Sequence, residues 1–317
     1  MDNTSSKSND PDVSILKLFS ILWKRKFLLI GATFFIGIFS VIFALSLPVI
    51  YQSKALLSIQ SEKGGALSSL SSQLGGLASI AGIQNFSSGG DKTGYAVETI
   101  KSRSFLKELI SKNDVVPEII ATKSYIKESK KLIYDDNIFD AKDRKWLIGK
   151  DGISYEPSYL EVHDHFLKNN LHISVNDKTG FINISIDHIS PYFAQKLLSI
   201  IIDEINSVSK EREIAESQAA LNYLNEQRNT PLIDIKDSIN NLIESQLNKQ
   251  MIANIKDDFL LKVLDPPYIP ELKVRPNRAL ICVLITFFGS FSMMMIILLR
   301  DLYFSKNTHI NKFGEST

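Results

Sequence analysis

The chain has 317 residues, with 36 lysines and arginines against 35 aspartates and glutamates, and one cysteine. A formal charge of +1 leaves no broad basic excess to displace counterions along a phosphate backbone, which excludes nucleic acid as the main partner. Cys282 has no partner in the same chain, so no intrachain disulfide contributes, and a folded region of this length holds together by packing.

Two uncharged apolar runs, Phe27 to Ile50 and Ala279 to Leu299, stand near the two ends. About twenty apolar residues at roughly 1.5 Å rise each cross a hydrocarbon core of about 30 Å, so each run predicts a transmembrane helix. The first is longer than a secretory h-region and follows a long polar leader. This favours a retained anchor over a cleaved signal, although Ala44-Leu45-Ser46 loosely resembles a cleavage site. The basic cluster Lys24, Arg25 and Lys26 sets the topology: residues 1–26 in the cytoplasm, 27–50 across the bilayer, 51–278 on the far side, 279–299 returning, and 300–317 inside. Around the second run the charges balance, Lys273, Arg275 and Arg278 before it and Arg300, Lys306 and Lys312 after it, so the first span decides.

Beyond the first span, Ser53 to Gln60 mixes apolar and polar positions as a strand does. Gly64 to Gly90 follows, rich in glycine and serine and uncharged from Gly65 on, which reads as a linker. Its spaced Leu67, Leu70, Leu74, Leu77, Ile80 and Ile83 also allow a weak apolar helix face for membrane or partner. Tyr95 to Ile110 fits an amphipathic helix, with Val97, Ile100, Phe105, Leu106, Leu109 and Ile110 on one side. Tyr125 to Tyr159, rich in charge and aromatics, is expected to form short helices.

Leu171, Ile173 and Val175 alternate with polar residues, Asn176 to Gly180 supplies a turn, and Ile182, Ile184 and Ile186 alternate again, which predicts a β-hairpin with one buried face. Pro191 then opens a helical run. From about 192 to 264 there is no glycine, and apolar residues recur by threes and fours, with Pro231 as the internal breaker. A break near Thr230 leaves either one bent rod or two helices folded back. The fold class is therefore α+β: two transmembrane helices flank an α/β base, about 51–190 and 260–275, that carries a long protruding helix. An amphipathic rod of that length has an apolar stripe to cover, and neighbouring copies are the natural cover.

No residue is assigned a catalytic, cofactor-binding or metal-ligating role. No G-x-x-x-x-G-K-[ST] motif cradles a nucleotide, and the segment after Arg300 is too short for a kinase fold. His163-Asp164-His165 is the best metal candidate, since alternate positions of a strand would put both imidazoles on one face, but it lacks further ligands at legible spacing. His172 and His188 read as rim residues of the hairpin. No pair of carboxylates is spaced for acid–base work. Pro266, Pro267 and Pro270, then Pro276-Asn277-Arg278, stand before the second span. They favour an extended entry into the bilayer and offer a rigid contact for a membrane partner.

These parts, in this order, resemble the Wzz-type polysaccharide co-polymerases. The resemblance runs through Asp12-Val13-Ser14-Ile15-Leu16, Leu22-Trp23-Lys24-Arg25-Lys26, Leu47-Pro48-Val49-Ile50-Tyr51 and the turn Asp177-Lys178-Thr179-Gly180. It continues through Asn222-Tyr223-Leu224, Leu242-Ile243-Glu244-Ser245-Gln246, Lys262-Val263-Leu264-Asp265-Pro266 and Pro270-Glu271, to Pro276-Asn277-Arg278-Ala279-Leu280-Ile281. It implies a periplasmic α/β base with a long helix, and a bell-shaped homo-oligomeric ring in the bacterial inner membrane. It also implies a non-enzymatic role, without a cofactor, in setting how many repeat units a Wzy-type polymerase adds to a lipid-linked polysaccharide such as O-antigen. Pro267, Pro270, Pro276, Asn277 and Arg278 fall on the family's proline motif, with Lys273-Val274-Arg275 replacing a closer spacing. The glycine-serine loop resembles capsule and exopolysaccharide members as much as O-antigen ones. The alternative is therefore a capsule or exopolysaccharide co-polymerase working with a separate tyrosine kinase and an outer-membrane channel, although the tail's one tyrosine, Tyr303, disfavours it.

Overall fold

Where the apolar spacing changes from three-to-four to two, the backbone changes from helix to strand. The computed structural model describes residue 23 and residues 25–60, 92–227 and 236–314, and it divides into two units. One, residues 1–49 with 275–317, contains helix α1 (Lys26–Ser46) and a last helix from Arg278 to Gly314. The other, residues 50–274, contains the sheet and its helices.

In chain order this second unit has β1 (Ile50–Ile59), α2 (Lys92–Lys101), α3 (Arg103–Lys112), α4 (Val116–Ile120) and four short strands. The short strands are β2 (Thr122–Ile126), β3 (Lys131–Tyr134), β4 (Phe139–Asp140) and β5 (Lys145–Trp146). Next come α5 (Tyr159–His165), which runs into a π-helical turn at Phe166–Asn170, then β6 (Leu171–Val175), β7 (Ile182–His188), α6 (Pro191–Gln227), α7 (Lys236–Ile255) and β8 (Leu261–Asp265). A last short strand, β9 (Lys273–Arg275), also pairs with β1, and the Arg278–Gly314 helix is α8.

The main sheet has the order β6-β7-β1-β8, with each neighbouring pair antiparallel. Its hairpin is built as the alternation predicts: Ile182, Ile184 and Ile186 are fully buried, and Asn183 points the other way. Asn176 accepts the amides of Lys178 and Thr179 on its side-chain oxygen, while Gly180 takes φ +69°, a conformation that costs glycine nothing. Ser190 then caps α6 by accepting the Phe193 amide, and Pro191 occupies the first turn, where its missing N–H is no loss.

One face of α6 buries Phe193, Ala194, Leu197, Leu198, Ile201, Ile202 and Ile205 against the sheet, in the helical rhythm of threes and fours. Ala96, Val97, Ile100, Phe105, Leu106 and Leu109 from α2 and α3 join the same core. The expected helix over 95–110 is in fact two, because Ser102 leaves the helical conformation and caps α3 by accepting the Phe105 amide. Lys112 ties α3 to α6 through Glu108 and Glu204, at 2.9 and 2.7 Å, and these carboxylates raise its pKa.

The short helices expected over 125–159 are absent, and hairpins β2–β3 and β4–β5 stand there instead. The aromatic residues account for the difference. Phe139 is fully buried between Tyr134 and Trp146, ring centroids 5.3 and 5.0 Å away, a packing across strands that a local helix would not bring together. Arg144, at φ +49°, turns back to pair with Asp114 and Glu118.

The long helical run is two helices on either side of residues 228–235. The predicted break at Thr230 and Pro231 lies outside the described residues, as does the glycine-serine segment with its apolar positions from Leu67 to Ile83. Lys210 meets Asn254, Glu213 meets Lys249 and Gln218 meets Gln250, so α6 and α7 run antiparallel, the folded-back form of the rod. At about 1.5 Å per residue the 37 residues of α6 extend about 55 Å, and burial against the sheet ends at Asn206.

Candidate functional site: the apolar helix pair and its entry segment

Within the first unit, α1 and α8 pack antiparallel. Arg25 pairs with Asp301 at 3.0 Å at one end, Gly289 faces Ile36, and Ser40 Oγ lies 3.4 Å from Thr286 Oγ1. A Cβ added at Gly289 would stand 2.7 Å from Ile36 Cγ2, so the close approach depends on this glycine. Polar atoms along the contact are satisfied locally. Ser40 Oγ donates to the Gly37 carbonyl at 2.7 Å, Ser290 Oγ to the Thr286 carbonyl at 2.6 Å, and the Cys282 thiol to the Ser40 carbonyl at 3.7 Å. A shallow groove of about 790 Å³ runs along the pair, lined by Phe34, Gly37, Ser40, Cys282, Thr286 and Ser290 among others.

The outer faces are a different surface. Phe35, Phe39, Phe287, Phe288 and Phe291 are exposed, and only 11% of the apolar window of α1 and 6% of that of α8 is buried. Mean hydropathies of 2.6 and 2.4 with so little cover do not describe core helices of a water-soluble domain. Both helices are long and apolar enough to cross a membrane, and their hydrogen-bonding groups close within the pair, as a hydrocarbon environment demands. α1 ends at Ser46, and the chain is extended at Leu47 to Val49 before β1 begins.

Of the topology cluster, Lys24 lies outside the described residues. Arg25 holds the ion pair to Asp301, a role the sequence reading did not foresee, and Lys26 stacks over the rings of Trp23 and Phe27 at 4.9 and 5.5 Å. In the entry segment, Pro267 is half-buried and Pro270 buried, and Ser53 donates to the Tyr268 carbonyl at 2.7 Å, which fixes this extended stretch beside β1. Asn277 caps α8: its carbonyl accepts the Ile281 amide at 3.1 Å and its side-chain oxygen receives the Leu280 amide at 3.4 Å. Pro276 precedes that cap, and the Nε of Arg278 is shielded from solvent without a hydrogen-bond partner among the described residues.

His163 and His165 lie on helix α5, not on a strand. Two positions apart on a helix, their side chains point to nearly opposite sides, which removes the shared face on which the metal candidate rested. His163 Nε2–H donates to the Lys101 carbonyl at 2.8 Å, and burial lowers the pKa of His165. Among the described residues no three His, Cys, Asp or Glu side chains gather at one point. His172 is indeed half-exposed and contacts Asp187, whereas His188 is buried. The expected rim position of His188 is corrected: its Nδ1 accepts the Ser190 amide and its Nε2–H donates to the Glu118 carbonyl.

Residues 11–113 match the family described as Wzz, chain length determinant protein, a region that takes in α1, β1, α2 and α3. No curated protein matches the chain. Among solved structures, a full-length bacterial polysaccharide co-polymerase aligns at 13% identity and a TM-score of 0.40, covering 93% of this chain and 99% of its own. The family likeness is to the Wzz chain length determinant proteins, and it spans about a third of the chain, residues 11–113.

Proposed function

We propose that this protein regulates the chain length of a polysaccharide from the bacterial inner membrane, acting without catalysis as a homo-oligomeric co-polymerase beside a Wzy-type polymerase that extends a lipid-linked glycan. The observation that carries this reading is the antiparallel, lipid-compatible pair α1 and α8, in a chain whose residues 11–113 match the chain length determinant family. The ends brought together by Arg25 and Asp301 favour both termini on one side of the bilayer, and the basic residues Lys24, Arg25 and Lys26 favour the cytoplasmic side. Residues 50–274 then face the periplasm, where the glycan is extended.

In this reading Pro267, Pro270, Pro276, Asn277 and Arg278 form a stiff entry to the second span. The prolines limit the backbone and Asn277 starts the helix. The shared chemistry of the groove beside Ser40 and Thr286 suits a further helix, from a neighbouring copy or the polymerase. O-antigen is the glycan we assign. Deleting the gene and resolving the surface lipopolysaccharide on a gel tests the assignment: loss of the modal length cluster is expected, and an unchanged length distribution refutes it.

A further inference from the structure

The β2–β3 hairpin carries a cluster that neither the core nor the helix pair uses. Residues 122–134 contain Lys123, Lys127, Lys130 and Lys131, all exposed, opposed within the hairpin by Glu128 alone. The register pairs Ile126 with Lys131 and Ser124 with Ile133, so both isoleucines share one face with Lys131, and each is 40% exposed. At the tip, Lys130 takes φ +54° and folds the turn back. The Lys127 ammonium stands 5.6 Å from the Tyr51 ring and that of Lys130 4.6 Å from the Tyr192 ring. The hydroxyls of those tyrosines accept from the two ammoniums and raise their pKa, so both stay charged at neutral pH.

Chain connectivity then locates the cluster. Tyr51 follows Ser46, the last residue of α1, by five positions, and an extended chain of that length reaches at most about 18 Å. A hairpin tip that rests on Tyr51 is therefore tied to the end of α1 by no more than five residues of chain. Exposed isoleucines, lysines able to snorkel and tyrosines with a polar tip are the residues that a bilayer interface accepts.

We propose that the β2–β3 hairpin docks on the membrane surface through anionic phospholipid headgroups, with Lys127 and Lys130 on the phosphates and Ile126 and Ile133 in the headgroup boundary. The inference rests on the reading of α1 as a membrane span. Docking fixes the sheet unit against the bilayer at a second point besides its covalent link, and so limits how far it can tilt.

The test uses the full chain in nanodiscs, with Cys282→Ser and a fluorophore on Ser129→Cys. Nitroxide lipids report contact with the headgroup region, and a label on Lys142→Cys, in the turn between β4 and β5, serves as the comparison. In discs containing phosphatidylglycerol, the label at 129 is expected to be quenched and the one at 142 not. Each lysine near an anionic surface is worth about fivefold, so K127Q/K130Q lowers the docked-to-free ratio about thirtyfold, and 0.5 M salt does likewise. Equal quenching in pure phosphatidylcholine, or quenching indifferent to the lysine substitutions, overturns the proposal. So does quenching that appears only when a polyprenyl diphosphate is added, which assigns the lysines to a diphosphate lipid. Failure of the protein to enter nanodiscs at all would refute the membrane reading of α1 instead, and the two failures are thus distinguishable.

Discussion

Asn206 is the residue whose replacement this structure makes most consequential outside the membrane. It sits where α6 leaves the sheet, is 5% exposed, and makes three hydrogen bonds with one side chain. Oδ1 accepts the amides of Leu260 and Leu261 at 2.9 and 2.8 Å, and Nδ2 donates to the Leu261 carbonyl at 3.0 Å. The amide thus acts as a strand partner for the first residue of β8, the strand that brings the chain back from α7 into the sheet. Asn206→Leu keeps the volume and removes all three bonds. A buried donor or acceptor left unpaired costs about 1–3 kcal/mol, and two of the three groups belong to buried Leu261 while Leu260 is partly reached by water, so about 3 kcal/mol is expected. For a unit of this size that lowers Tm by about 6–12 °C. Hydrogen exchange on the full chain in detergent reads the same loss locally: a peptide covering Leu260 and Leu261 should exchange on the order of a hundredfold faster, while one covering the β6–β7 hairpin changes little. Unchanged protection at 260–261 together with an unchanged Tm would mean that the three bonds contribute nothing, contrary to this expectation.

Three further outcomes are expected. Ser40→Cys places a second thiol beside Cys282 across the α1–α8 contact, so mild oxidation of membranes should cross-link the two within one chain, and adding Gly289→Leu should reduce the yield severalfold by forcing the helices apart; no cross-link in the single variant would contradict the antiparallel pairing. His188 has its pKa lowered first by burial, and its neutral form is the one that accepts from Ser190 while donating to Glu118, so the unfolded chain binds a proton more readily than the folded one; stability contributed by this site is complete above about pH 6.5 and falls as pH drops through the window beneath it, and His188→Gln should flatten that part of a denaturation-against-pH curve. Arg144→Ala strands Glu118 and Asp114, and it should lower Tm by a few degrees and bring the Tyr134 hydroxyl, pushed up to about 12 chiefly by burial and then by Glu118, still higher in a spectrophotometric titration, since the arginine is the group that opposes that rise.

What was legible in the sequence is what a single period encodes. Ile182, Ile184 and Ile186 carry a period of two and fall fully inside, Leu197, Leu198, Ile201 and Ile205 carry a period of three to four and do the same, and the two charge-free runs became α1 and α8. The region over 122–158 was not legible, because its order comes from contacts between short segments: Phe139 is held by Tyr134 and Trp146, and Arg144 by Asp114 and Glu118 some thirty residues earlier. The Arg144 pairs fall outside any local window, and the three aromatic residues, five and seven positions apart, do not follow a single period. Asn206 was missed for a similar reason. In the sequence it is a polar residue on a helix, and its partners lie 54 and 55 residues away.

The same contrast bears on how the protein works. The two parts most directly read from sequence, the apolar helices and the isoleucine hairpin, are generic: many chains bury such stripes in lipid or in a core. The parts that give this chain its particular geometry are polar and nonlocal, namely Arg25 on Asp301, Asn206 on Leu261, and Ser53 on the Tyr268 carbonyl. Each of these joins an early segment of the chain to a late one, across 55 to 276 residues. A hydrophobic contact tolerates sliding by a turn or a register step, whereas a buried hydrogen bond loses its partner at once. In the proposed role, the geometry within the helix pair and within the sheet unit is therefore set by these few polar ties, and substitutions there should alter glycan length before they abolish expression.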